Sequence, residues 1–387
     1  MATLAFEFSE YEARIERALT AMRAARLDAL LLFHQESLYY LFGYDQIGYW
    51  VYQTAVVPAD GTGPTAICRR ADELMIRESP FIKDIRPWLD DSHMNTGEFT
   101  VQVLKERRLL SAGRRIGIEK KSHALLPFYY DLLREQMPEN VELVDASDLI
   151  TELRLLKSPA ELAYMRRAAE IMDRAFTAAF AAVRPGVREC DVNGAVMQTL
   201  SALGADFPSV APPIASGPRT LTQTHGAATE RAMQTGEPFT IEIGAPYKRY
   251  HAVAVHSGYL GEPPREIREL HSALREGIEA GLDVIGPGVP TAKVAAVVVG
   301  QLEARGLSRK GRHVGYGIGI GYPPTWLDNL RIKETDAHVL REGMTFFLFA
   351  GALTKRADLC LYLGEPVAVT GAGCDRLSAL PRELRVV

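Results

Sequence analysis

Excess charge of either sign is missing from this chain: 44 Lys plus Arg stand against 48 Asp plus Glu, a net charge of −4 over 387 residues. That balance excludes the basic footprint of a nucleic-acid binder or of a protein held on an anionic membrane. Long hydrophobic runs are missing too. The longest, residues 295–300 and 346–353, fall well short of the roughly 20 residues a spanning helix needs. The opening residues show no basic stretch followed by an apolar segment and a cleavage site, so a cytoplasmic location is expected. Cysteine is sparse. Cys68, Cys190, Cys360 and Cys374 lie far apart and form no paired spacing that would chelate zinc or run a redox couple; they read as buried thiols. No fixed-period repeat or low-complexity tract is present, which excludes solenoids and long linkers.

What is present is core-forming material, 47% hydrophobic residues in a chain long enough for two domains. Helical spacing over residues 11–26 gives way to the continuous run Leu30-Leu31-Leu32-Phe33, a helix feeding a buried strand. Strand-like stretches follow at 52–57, 65–69, 115–119 and 142–145, with helices near 71–76 and 98–110, so the first 150 residues or so read as an α/β domain. The pattern then becomes helical from about residue 145 to 171. Within it, Ser158-Pro159-Ala160-Glu161 marks a helix start: a capping serine, a proline at the first turn, and a glutamate placed to reach back. The second half reads as α+β, with helices near 189–203, 265–285 and 291–305 and strands near 239–243, 249–260, 346–353 and 360–369. Pro246-Tyr247-Lys248 joins two alternating stretches as a hairpin.

Polar groups in the second half's apolar strands carry the chemical signal. Glu242 interrupts Phe239-Thr240-Ile241-Glu242-Ile243-Gly244, and a buried carboxylate needs a partner. On the next strand His251, Val253 and Val255 share one face, and His256 lies on the other. His225 sits before Gly226 in a loop, Glu365 ends an apolar strand, and Trp326 is placed to wall a pocket or to cover the core. Asp328, Glu334 and Asp336 read as solvated charges. Gly315, Gly317, Gly319 and Gly321 recur at every second position, but Pro323-Pro324 follows where a phosphate-binding loop would open a helix. The glycines strip side chains from one strand face, so another protein segment or a ligand approaches that backbone closely.

Residues 149–161, His225-Gly226, Gln234-Thr235-Gly236-Glu237, Ile241-Glu242-Ile243-Gly244, Gly317-Ile318-Gly319 and Arg341-Glu342-Gly343-Met344 together resemble the creatinase, prolidase and methionine aminopeptidase superfamily. The likeness implies an α+β fold, a pita-bread catalytic domain at 153–387 preceded by a smaller α/β creatinase-type N-terminal domain at 1–152. The superfamily's metallopeptidases hold two metal ions with two aspartates, a histidine and two glutamates. Carried over, those positions fall on Glu242, Val253, Tyr316, Phe349 and Gly364 or, one residue on, Glu365. Valine and phenylalanine offer no lone pair, so no metal and no cofactor is expected.

Two branches that the chain resembles, creatinase and the ectoine hydrolases, work without metal and open a C–N bond of a small amidine-like compound. The ectoine hydrolase likeness runs through Lys248-Arg249-Tyr250-His251, residues 317–326 and Gly343-Met344-Thr345-Phe346. It implies His225 as general acid and base. Glu242 would pair with a cationic amidine or attack its carbon, and Glu365 would orient water or hold the substrate nitrogen. His251, Tyr316, Tyr322, Trp326 and Phe349 would bind substrate, the aromatic rings suiting a cation or a flat ring. Two departures stand out: the creatinase glutamate of the second hairpin strand falls at Val255, and an acid expected three positions before Glu365 is Tyr362. The expected partners are a small polar nitrogen-containing substrate and a second copy of the chain in a homodimer. The alternatives are a metal-free lyase, isomerase or cyclase on the same scaffold, and a non-catalytic binding protein.

Overall fold

A computed structural model describes residues 4–90, 94–309, 311 and 313–387, with residues 222–225 described by backbone alone. The chain divides into two compact units, Met1–Arg154 and Leu155–Val387.

In the first unit α1 (Phe8–Ala24), β1 (Ala29–Leu32), α2 (Gln35–Phe42), β2 (Thr54–Pro58), β3 (Thr65–Arg69), α3 (Glu73–Ile76), β4 (Asp84–Trp88), α4 (Thr96–Glu106), β5 (Arg115–Ile118), α5 (Pro127–Gln136), β6 (Glu142–Asp145) and α6 (Ser147–Arg154) follow in order. The six strands form one mixed sheet ordered β4-β3-β2-β1-β5-β6. Strand β1 is apolar throughout because it is central and buried on both faces. Helices α2 and α5 and strand β4 lay outside the sequence reading. Seven of the eight residues of α2 are buried, so it presents no one-sided apolar stripe to recognise.

The second unit begins with α7 (Pro159–Ala182), separate from α6 rather than continuous with it. Its capping box is formed: Glu161 N donates to Ser158 Oγ at 3.3 Å, and Ser158 N donates to Glu161 Oε2 at 2.9 Å. The other Glu161 oxygen accepts from the Tyr250 hydroxyl at 2.7 Å, so one carboxylate both starts the helix and ties it to the sheet. Then come α8 (Glu189–Ala202), β7 (Ile214–Ser216), a 3-10 segment Gly217–His225, β8 (Pro238–Tyr247), β9 (Tyr250–Tyr259), α9 (Arg265–Asp283) and α10 (Thr291–Glu303). Strands β10 (His313–Tyr322), β11 (Thr325–Lys333), β12 (Thr345–Leu353), β13 (Cys360–Thr370), β14 (Gly373–Arg376) and β15 (Arg385–Val386) complete it. The main path of the sheet is β11-β10-β12-β13-β9-β8-β7.

Strict alternation decides what each strand offers to each face. Ile241, Ile243, Ala252 and Ala254 pack into the core that contains Met172 and Phe176 of α7. Phe346, Leu348, Leu361 and Leu363 pack with Leu274 and Val298 of α9 and α10. The intervening residues of the same strands therefore face away from the helices.

His256 lies on the helix-covered face, its ring 5.1 Å from that of Phe176, and its Nε2 has no hydrogen-bond partner among the described residues. Burial lowers its pKa to about 3, with His271 and Arg376 adding to the effect. The unfolded chain takes up a proton near the ordinary histidine value while the native one does not, so this residue costs stability as pH falls below about 6.5. His256→Leu removes that cost. Urea unfolding is expected to show the variant gaining about 2 kcal/mol on wild type between pH 7 and pH 4.5; a gap independent of pH would contradict this.

Candidate active site

The hairpin β8–β9 sets the site. Its turn residues Lys248 and Arg249 both have positive φ, 50° and 66°, the two-residue geometry that matches strand twist. Arg249 is held there by its N–H to Asp206 Oδ2 at 2.8 Å and by its guanidinium over the Phe207 and Tyr322 rings. The resulting register places Glu242 opposite Val255, Val255 opposite Gly364, and Gly364 opposite Phe349. This row crosses β8, β9, β13 and β12 on the face turned from the helices.

A cavity of about 230 Å³ lies over that row, lined by Glu242, Val255, Tyr316, Trp326, Phe347 and Phe349 among others. The glycines make its shape. A Cβ on Gly364 would meet Phe349 Cβ at 2.4 Å, and one on Gly244 would meet the Trp326 ring at 2.5 Å. Phe347 and Phe349 stack at 5.0 Å, with Tyr316 edge-on at 5.4 and 5.9 Å. The Trp326 indole N–H donates to the Tyr316 hydroxyl oxygen at 3.0 Å. Glu242 has no hydrogen-bond partner among the described residues, and burial pushes its carboxyl up to about 8. Burial, with the nearby Glu242 second, also raises the Tyr316 hydroxyl well above its usual value. At neutral pH the cavity thus presents two protonated oxygens in an aromatic shell.

Of the residues singled out in the sequence, Glu242, Tyr316, Trp326 and Phe349 meet at this cavity. Three others stand apart from it. His251 is buried with Nε2 3.0 Å from Ser209 Oγ and Nδ1 3.0 Å from the Arg249 carbonyl oxygen; burial lowers its pKa to about 4. Both nitrogens are occupied, so it anchors the hairpin end. Tyr322 is buried beneath Arg249. Glu365 points to the helix-covered face, where Arg376 grips one oxygen and Arg382 Nε donates to the other at 2.7 Å. Alternation explains the correction: Gly364 occupies the cavity side of β13, and its neighbour must face the other way. His225 ends the 3-10 segment, and its side chain lies outside the described residues.

That segment is tied at its base. Glu189, buried at the start of α8, accepts from Ser216 N and Oγ, both at 2.8 Å, and from Thr229 N and Oγ1 at 3.1 and 2.7 Å, besides pairing with Arg219.

Phe347, Tyr362 and the exposed His313 also line the cavity and were missed as site residues. The alternation that exposes Phe349 and Gly364 would have found the first two. The glycines of β10 are approached by protein: Gly315 by Ile332, Gly317 by Leu330, Gly319 by Lys157, and Gly321 by Trp326 and His251.

A dinuclear metal centre does not fit this donor set. Of the carried-over positions only Glu242 presents a carboxylate to the cavity, beside the Tyr316 phenol; Val253, Phe349 and Gly364 supply no side-chain donor. Among the described residues no group of three or more His, Cys, Asp or Glu is placed to hold a metal ion, and no helix is long and apolar enough to cross a membrane.

Comparison with known proteins agrees with this architecture. Residues 163–369 match the model of metallopeptidase family M24, and residues 14–156 that of the creatinase/prolidase N-terminal domain. The chain is 30% identical over 394 residues to an uncharacterized hydrolase/peptidase, y4tM, of Sinorhizobium fredii, covering 100% of each. It is 29% identical over 400 residues to the ectoine hydrolase of Halomonas elongata, covering 99% of each. The prolidase of Thermococcus sibiricus superposes with a TM-score of 0.88 at 23% identity, over 97% of this chain and 99% of that one. The fold is therefore the α+β pita-bread fold behind a creatinase-type N-terminal domain, and the chain belongs to metallopeptidase family M24 as a hydrolase-type member.

Proposed function

We propose that this protein is a metal-independent hydrolase of C–N bonds in a small, polar nitrogen compound of amidine-like or cyclic kind, with ectoine the first compound to test. One observation carries the reading: Glu242, a carboxyl without a hydrogen-bond partner among the described residues, stands in an aromatic cavity where the family's metal shell would require further acids. An aromatic box with a single acid suits a delocalised cation, which the rings attract by their faces and the carboxylate neutralises. The full-length likeness to an ectoine hydrolase supports the same class of bond. Glu242 would pair with the amidinium or attack its carbon, and His225 would carry the proton between water and the leaving nitrogen.

The test is ectoine turnover by chelator-treated protein in ¹⁸O-labelled water. The expected product carries the label, at a rate unchanged by chelation, from protein without stoichiometric metal by elemental analysis. Conversion without label would make the enzyme a lyase or cyclase. Turnover restored only by manganese, cobalt or zinc would overturn the reading.

A further inference from the structure

The hydrogen-bond inventory of Tyr316 goes one step past this reading, on which the inference rests for its reaction. A phenol has one proton to give and a lone pair to receive. Trp326, whose indole N–H can only donate, occupies the oxygen at 3.0 Å. That bond leaves the phenolic proton without a protein acceptor among the described residues. The Tyr316 ring is wedged against Phe347 and Phe349, which fixes the direction of its C–O bond, and Tyr316, Trp326 and Glu242 all line the same cavity. A buried O–H held this way is an oriented donor awaiting an acceptor from outside the protein.

We propose that Tyr316 is a catalytic hydrogen-bond donor, its proton aimed by the Trp326 N–H at the heteroatom that gains electron density when the substrate's C–N unit is opened. In hydrolysis of an amidine, water adds to the sp² carbon, forming the new C–O bond as the C=N electron pair moves onto nitrogen. The C–N bond then breaks, C=O forms, and both water protons end on the departing nitrogen. Tyr316 keeps its own proton throughout. Its hydrogen bond strengthens as charge builds on the heteroatom, so it favours the transition state over the bound substrate.

Tyr316→Phe removes the hydroxyl and keeps the ring, and Trp326→Phe removes the N–H and keeps an aromatic wall. With ectoine, Tyr316→Phe is expected to lower kcat at least thirtyfold with KM within threefold, and Trp326→Phe to lower it five- to tenfold. A second arm needs no turnover: acetamide, which accepts a hydrogen bond, and acetamidinium, which cannot, are titrated into the full chain and followed by NMR. Tyr316→Phe should weaken acetamide at least fivefold and leave acetamidinium unchanged. Equal weakening of both ligands, or kcat within threefold of wild type, overturns the proposal. If the wild type does not turn over ectoine the hydrolase reading fails instead, and the acetamide arm still decides whether Tyr316 donates.

Discussion

Glu242→Gln is expected to abolish more than 99% of turnover, a loss above about a hundredfold, because the amide can neither neutralise an amidinium nor attack its carbon. The pH dependence of the wild type should identify the same group. Burial holds the carboxyl protonated up to about pH 8. The folded protein therefore binds one more proton than the unfolded chain between about pH 4.5 and 8, and the contribution of Glu242 to stability is lost as pH rises through that upper value. A cation entering the cavity must displace this proton. Its apparent affinity should rise about tenfold per pH unit below 8 and level off above it. Acetamidinium stays cationic across that range and reads the slope directly in an NMR titration. Glu242→Gln should bind it weakly and without slope. A wild-type affinity flat from pH 6 to pH 8 would show that the carboxyl is already ionised or faces no ligand.

Whether the slope and the loss of turnover coincide also tests how the site arose from its sequence. The two-unit organisation, the capping box at Ser158 and the hairpin of β8 and β9 were legible because each is local. Glu242 was legible as an acid in an apolar strand. Glu365 looked equivalent, and what separates them is strand parity: Gly364 carries the cavity side of β13, while Glu365 meets Arg376 and Arg382, which follow it by 11 and 17 residues on the far face. His251 has the right parity but lies at the hairpin end, where Ser209 and the Arg249 carbonyl oxygen claim it. Strand β11 was hidden by its own core. Its buried positions, Trp326, Asp328, Leu330 and Ile332, alternate strictly, but an aspartate among them reads as a loop residue unless its partner is known. Its cationic partner Lys157 lies 171 residues earlier, and the Asn329 N–H donates to its other oxygen at 3.0 Å.

That pair supports the largest expected effect on stability. Lys157 Nζ stands 3.2 Å from Asp328 Oδ2, with both side chains 1% exposed. It reaches there over Gly319, where a Cβ would crowd its Cε at 3.0 Å, and its backbone N–H is fixed by the Gly343 carbonyl oxygen at 2.9 Å. Lys157→Met leaves a buried aspartate facing an apolar chain and should cost about 3–5 kcal/mol, as should Asp328→Leu, which strands the ammonium. The double variant removes both charges from the interior and should recover most of that loss, ending within about 1–2 kcal/mol of wild type. Trp326 reports the result, since it lies two residues from Asp328 on the same face of β11 and its indole walls the cavity. Its fluorescence in urea, with Trp50 and Trp88 replaced by phenylalanine, follows the second unit alone. Additive single losses would mean that the two charges are stabilised independently. Recovery in the double variant, with acetamidinium binding intact, would mean that the ion pair's role is to join β10 and β11 to the start of α7, and that the cavity above needs the strands held together rather than the charges themselves.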